Sequence, residues 1–264
     1  GPVAEDDMHL GLTLRATVAS VALGEVVFLL AVGTGPSFSG EIQTVGANVS
    51  TPTPFSHWGP EVEKIYKEEN GHADYSAEIH YDLGLYFYEQ GEYDLSLEHY
   101  RKATEIDPDF PEAYFGIGLL FYTLGDDDNA VRYYLRSLEK NPRDADTRNN
   151  LGLIYYRQGE LASARTQIEE AIRLQPEFPD AFYNLGLVLY QQAELKDAVH
   201  HFLEALNQDP SYLRARFNLG VVYYELGLGD LAEEQWLAIQ EQAPGSSLAV
   251  QAAQNLSVLA TDTP

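Results

Sequence analysis

A mainly α fold, built as a solenoid of stacked helix pairs, is what this sequence predicts. Three observations carry that reading. Leu83-Gly84, Ile117-Gly118, Leu151-Gly152, Leu185-Gly186 and Leu219-Gly220 recur every 34 residues, and Pro108, Pro142, Pro176, Pro210 and Pro244 keep the same step. Between these marks the small residues Ser96, Ala130, Ala164, Ala198 and Ala232 precede the bulky Tyr100, Tyr134, Ile168, Phe202 and Trp236. A further series, Ala103, Ser137, Ala171, Ala205 and Ile239, completes the pattern. A period of this length marks an array in which no unit buries its apolar face alone, so stability comes from stacking.

In chain order, residues 1–52 come first and are open to three readings. "ATVASVALGEVVFLLAVG", Ala16–Gly33, is short for a membrane helix, and Glu25 near its middle costs about 2.5–3.5 kcal/mol on insertion. As a signal segment it would end near Ala31-Val32-Gly33. As strands, Leu12, Leu14, Ala16 and Val18 alternate with Thr13, Arg15 and Thr17, and Glu25–Val32 forms a second, apolar strand. "EIQTVGANV" supplies a third. Gly1-Pro2 reads as the remnant of a cleaved tag, which leaves an upstream anchor open. Residues 53–76 hold a breaker-rich linker and a charged helix, "GPEVEKIYKEEN", entered through Pro60.

Residues 77–244 are the five gap-free units. Each holds two helical stretches broken near the middle at Gly91, Gly125, Gly159 and Gly227, with Ala193 departing from the pattern. Glycine there supplies the left-handed residue that ends a helix. Proline at the unit's end stops the second helix, because it lacks an N–H and clashes with the preceding turn. Small residues at the Gly84 and Ser96 positions let the two helices approach closely. Residues 245–264 continue as "SSLAVQAAQNLSVLA", a capping helix without the full signature, against which Trp236 and Ile239 would pack.

The period and its Leu-Gly, small-then-bulky and proline marks over 77–244 resemble the tetratricopeptide repeat family. That resemblance implies a right-handed solenoid whose first helices line a concave surface, a noncatalytic role, and a protein or peptide ligand. It places three ladders on that surface. The first is Tyr81, Phe115, Asn149, Tyr183 and Phe217; the second is Leu85, Leu119, Leu153, Leu187 and Val221; the third is Tyr88, Tyr122, Tyr156, Tyr190 and Tyr224. In the third unit, Asn149, Leu153 and Tyr156 are spaced four and three apart and so share one helix face. An apolar strip of more than a few hundred Å² is rarely left in water, so the ladders are expected to be covered by a ligand. Asn150, Asn184 and Asn218 resemble the asparagine ladder by which some family members hold a peptide main chain, since an amide offers both donor and acceptor. Asp82 and Gly116 break that ladder in the first two units. Family members that grip the acidic tails of heat-shock chaperones use a clamp of lysine, arginine and asparagine. Here the clamp positions carry Tyr81, Leu85, Asn150 and Asp146, so that partner is not expected. "LTLRATVAS" at 12–20 is also similar to the start of the small β domain of type II secretion inner-membrane proteins, which implies a bacterial envelope in preference to the cytoplasm.

Charge narrows the partner class. The chain sets 41 Asp and Glu against 16 Lys and Arg, a formal net charge of −25. Such a field repels phosphate backbones and anionic lipid, so neither nucleic acid nor a membrane surface is an expected partner. Membrane association would have to come from the N-terminal segment or from an upstream anchor. Glu78, Asp82, Glu89 and Glu112 make the groove entrance acidic, which suits a ligand with a basic end and an apolar middle. The alternative is self-association, with the groove filled by the N-terminal segment of the same or a neighbouring copy.

No residues point to catalysis, a metal or a cofactor. The chain has no cysteine, which removes disulfides, thiolate ligands and cysteine nucleophiles. Asp126-Asp127-Asp128 sits where acidic residues cap a helix N-terminus. His200-His201 point about 100° apart on a helix, and His72, His80 and His99 lack ligand spacing. Asn48-Val49-Ser50 and Asn255-Leu256-Ser257 fit a glycosylation triplet that is common by chance.

Overall fold

The computed structural model describes residues 76–262. The strand, anchor and signal readings of 1–52 and the helix expected at 59–70 lie outside the described residues. Within them the chain forms α1 (Ala77–Glu89), α2 (Tyr93–Ile106), α3 (Pro111–Thr123), α4 (Asp127–Lys140), α5 (Ala145–Arg157), α6 (Leu161–Leu174), α7 (Pro179–Gln191), α8 (Leu195–Gln208), α9 (Leu213–Glu225), α10 (Gly229–Gln242) and α11 (Ser247–Asp262). Odd and even helices pair in succession, and each even helix also packs on the next odd one. The odd helices touch one another across units as well, at α1–α3, α5–α7 and α9–α11, whereas no two even helices among the described residues make comparable contact. Closer spacing of the odd helices makes them the inner layer of the array and the even helices the outer one.

Each unit is closed by the residues its sequence marks. At the first turnover Gly91 has φ 75°. Its N–H donates to the Tyr88 carbonyl at 3.0 Å, and the Glu92 N–H donates to Phe87 at 2.9 Å, a closing pattern that requires a left-handed residue. Ala193 meets the same requirement at φ 60°, with Glu194 N–H donating to Leu189 at 2.9 Å, so the geometry is imposed even without glycine. The even helices end at Ile106, Lys140, Leu174, Gln208 and Gln242, two residues ahead of each proline, as the missing N–H dictates.

The small-then-bulky marks are the packing of the pair. A Cβ added at Gly152 would sit 2.5 Å from Ile168 Cγ1, and one at Gly186 would sit 2.6 Å from the Phe202 ring. The bulky residue of each even helix thus fills the space over the glycine of its partner. Ala164, Ile168 and Ala171 are fully buried in consequence, and burying a side chain the size of isoleucine contributes roughly 1.5–3 kcal/mol. In the last unit Trp236 performs this role and is packed with Ala249, Ala252 and Leu259 of α11.

A polar pairing, 19 residues apart, joins the two helices of several units. Arg148 Nη1 donates to Gln167 Oε1 at 3.0 Å, and Arg216 Nη1 donates to Gln235 Oε1 at 3.2 Å. In the first unit the same two positions hold His80 and His99, whose Nδ1 atoms lie 2.9 Å apart, and His99 stacks on Phe87. Both rings are buried, so one imidazole must donate as the neutral Nδ1–H tautomer and the other accept.

Candidate peptide-binding face

The inner layer differs from its expected form. Leu85, Leu119, Leu153, Leu187 and Val221 were expected to stand on an open apolar strip; all five are buried, the most exposed at 6%. Leu153 and Leu187 belong to the same continuous core as Ile168 and Phe202, and Val221 packs with Phe217 and Trp236. Consecutive odd helices approach one another closely enough that a residue at the centre of their inner face falls between neighbours rather than into water. This ladder is therefore core. Its apolar character needs no ligand to explain it.

The tyrosine and asparagine ladders are likewise engaged, as rungs between units. The Thr123 hydroxyl donates to the Leu119 carbonyl at 2.9 Å, so the Tyr88 hydroxyl donates to Thr123 Oγ1 at 2.7 Å. Tyr156 donates to Gln191 Oε1 at 3.1 Å, and Tyr190 donates to Glu225 Oε1. At Tyr122 the rung is a cation over a ring, with the Arg157 guanidinium carbon 4.1 Å from the ring centroid and Arg157 also paired with Asp127. Each rung ties a tyrosine to the residue 35 positions later. Tyr224 instead lies beside the Trp236 ring, 6.3 Å between centroids.

Among the asparagines, Asn184 Nδ2 donates to Asn149 Oδ1 at 2.9 Å and Asn218 Nδ2 donates to the Tyr183 hydroxyl at 2.9 Å. Each reaches back 35 residues into the first ladder. For Asn150 the corresponding residue is Phe115, which has no acceptor. Asn149, Asn150, Asn184, Tyr183, Phe217 and Asn218 are all buried. An amide aligned as these are is spent on stacking the units, which corrects the expectation that Asn184 and Asn218 present free amides to a ligand. The sequence pattern could have shown this, because donor and acceptor recur at a fixed separation of one unit plus one residue.

What remains accessible on the inner layer is a smaller and more polar set. Tyr81, Tyr88, Phe115, Tyr190 and Tyr224 are half-buried, Asp82 is half-buried, and Glu78, Glu89, Glu112 and Glu225 are exposed. The electrostatics concentrate at the first three units. Burial, then Glu112, Asp82 and Asp144, push the Tyr81 hydroxyl up to about 12, so carboxylates from three units act on one ring. Burial and then Glu78 push the Asp82 carboxyl up to about 6. A carboxylate that is hard to ionise for these reasons would be relieved by an incoming cation.

Other sequence marks have local explanations. Asp126 caps α4, its carboxylate accepting from the Asn129 N–H at 3.1 Å. Asn255 is fully buried in α11, so its glycosylation triplet is out of reach in the folded chain. No helix among the described residues is long and apolar enough to cross a membrane.

Comparisons with known proteins agree with this geometry. Models of the TPR repeat match residues 84–125 and 120–159, and models of the tetratricopeptide repeat match 149–212 and 183–247. No curated protein matches the sequence. Among solved structures, TTC0263, a thermophilic TPR protein of Thermus thermophilus, is 26% identical with a TM-score of 0.57. It covers 69% of this chain and 100% of its own. Pseudomonas aeruginosa pilF is 23% identical, TM-score 0.62, over 70% of this chain and 87% of that one. YrrB, described as a TPR protein with an unusual peptide-binding site, is 21% identical, TM-score 0.56, over 74% of this chain and 99% of that one. The last two likenesses show the fold alone.

Proposed function

The chain belongs to the tetratricopeptide repeat family, whose members mediate protein–protein interactions, and from that premise we propose that it is a noncatalytic scaffold docking a basic segment of a partner protein on its inner layer. The observation that carries this reading is the convergence of carboxylates at the first three units. Glu78, Asp82, Glu112 and Asp144 all act on one another or on Tyr81. A lysine or arginine placed there gains from every one of them and loses little to salt if the contact is partly buried.

The half-buried rings of Tyr81, Tyr88 and Phe115 supply apolar contact beside those charges. Large aromatic surfaces bring contact area at small entropic cost, which suits recognition of an extended segment. The leucine and asparagine ladders enter only indirectly, by fixing the spacing of the odd helices. The ligand is thus expected to be read by charge and ring contacts at the rim rather than by an apolar trough.

The test is affinity capture from the native source with the full chain and with a Glu78→Gln, Glu112→Gln variant. Loss of one or more specifically captured proteins, with an unchanged melting curve, supports the reading. Capture that is indifferent to both substitutions overturns it.

A further inference from the structure

A second surface, on the opposite side of the array, is unlike the rest of the outer layer in its charge. Elsewhere on the outer layer several acidic side chains of α2, α6 and the loop after α2 have cations at hand. Glu98 pairs with Lys102, Asp109 with Lys140, Glu169 with Arg165 and Glu170 with Arg173. From residue 217 to the end the sequence contains no lysine or arginine at all. Helix α10 nevertheless carries Asp230, Glu233, Glu234 and Glu241, all exposed.

These carboxylates are arranged around an apolar side chain. Leu237 is 43% exposed, and Glu233, Glu234 and Glu241 stand four before, three before and four after it, the spacings that share a helix face. Ala232, Trp236 and Ile239 point the other way, into the core. One unit earlier, at the equivalent position of α8, Leu203 is 39% exposed. Leu231, in the first turn of α10, adds a third exposed leucine. Helix preference explains only part of the charge. Asp230 and Glu233 lie near the N-terminus of α10, where the dipole favours anions, but Glu241 lies in the last turn, where it does not. Asp230 with Glu234 is a like-charged i, i+4 pair, which costs the helix a few tenths of a kcal/mol. The face therefore holds charge at some expense to its own helix, next to leucines left in water.

We propose that the outer face of α10, centred on Leu237 and extended by Leu203, is a docking surface for a basic segment of another protein that seats an apolar side chain between lysines or arginines. Charge selects the occupant. A second copy of this chain brings a further −25, so two copies repel overall, whereas a basic amphipathic segment supplies both cations and cover for the leucines. This surface is independent of the inner-layer reading and stands or falls separately.

The probe is a synthetic amphipathic lysine–leucine helix, with a scrambled peptide of equal charge as control, titrated calorimetrically into the full chain at physiological ionic strength. The amphipathic peptide is expected to bind at least fivefold tighter than the scrambled one. Leu237→Ser and a Glu233→Gln, Glu234→Gln, Glu241→Gln variant are each expected to weaken it about tenfold, while Glu139→Gln, at an exposed site on the outer layer of α4, leaves it unchanged. Equal binding of the two peptides, or affinities within twofold across the α10 variants, overturns the proposal. So does sedimentation showing a dimer of the unliganded chain that Leu237→Ser dissolves, since the occupant would then be a second copy.

Discussion

Acidifying the solution is expected to loosen the first repeat before the others, because its helices are joined by two buried imidazoles. Burial, then His80, then Lys102 push His99 down to about 4, from an ordinary imidazole value of 6.5. His80 is shifted the same way by burial and then Lys102, with Glu98 opposing. For a base whose folded value lies below its unfolded one, the unfolded chain binds more protons between the two. Stability is then fully present above pH 6.5 and is lost as pH falls toward 4. A shift of this size removes about 3 kcal/mol in total and about 2 kcal/mol by pH 5, with His99 almost wholly buried and little screened. Asp82 works in the opposite sense, since its raised value means that protonation below about 6 favours the fold. The comparison must therefore be made against a chain in which Asp82 is kept and the imidazoles are replaced. His80→Arg with His99→Gln grafts the pair that joins the helices of the third and fifth units. The assay is amide hydrogen exchange in α1 and α2 at pH 7 and pH 5, corrected for intrinsic rates, because repeat arrays open locally. The opening free energy of the parent is expected to fall by about 2 kcal/mol relative to the variant. A difference that does not move with pH would refute the reasoning.

Three further outcomes follow from packing and backbone geometry. Gly152→Ala places a methyl group 2.5 Å from Ile168 and 3.1 Å from the Ala164 carbonyl; a loss of about 1–3 kcal/mol in urea unfolding is expected. Tyr183→Phe removes the acceptor of the buried Asn218 amide, and about 1–2 kcal/mol should be lost, read as faster exchange in α7 and α9. Ala193→Gly relieves a left-handed residue at φ 60°; a gain of up to about 1 kcal/mol is expected in the same unfolding assay.

The array was readable because its marks are steric. Gly152 under Ile168, and the proline two residues beyond each outer helix, leave a period that survives any change in the surface. The ladders misled for a related reason. A helical wheel correctly groups Asn149, Leu153 and Tyr156 on one face, but it does not show how near the next odd helix comes. That distance decides whether Leu153 meets water or Leu187's layer. The rungs from Tyr156 to Gln191 and from Asn184 to Asn149 span two units and lie beyond any single-helix reading. The His80–His99 pair lacks metal-ligand spacing, and its signal is positional instead: the two residues stand where Arg148 and Gln167 pair in a later unit.

Site-specific photocrosslinking of the full chain to its captured partner is the most direct measurement of the central claim. A photoreactive residue at position 112, in place of Glu112 on the inner layer, is expected to link to the partner, and one at position 139, in place of Glu139 on the outer layer of the same unit, is not. Linkage from position 139 with none from position 112 would contradict it.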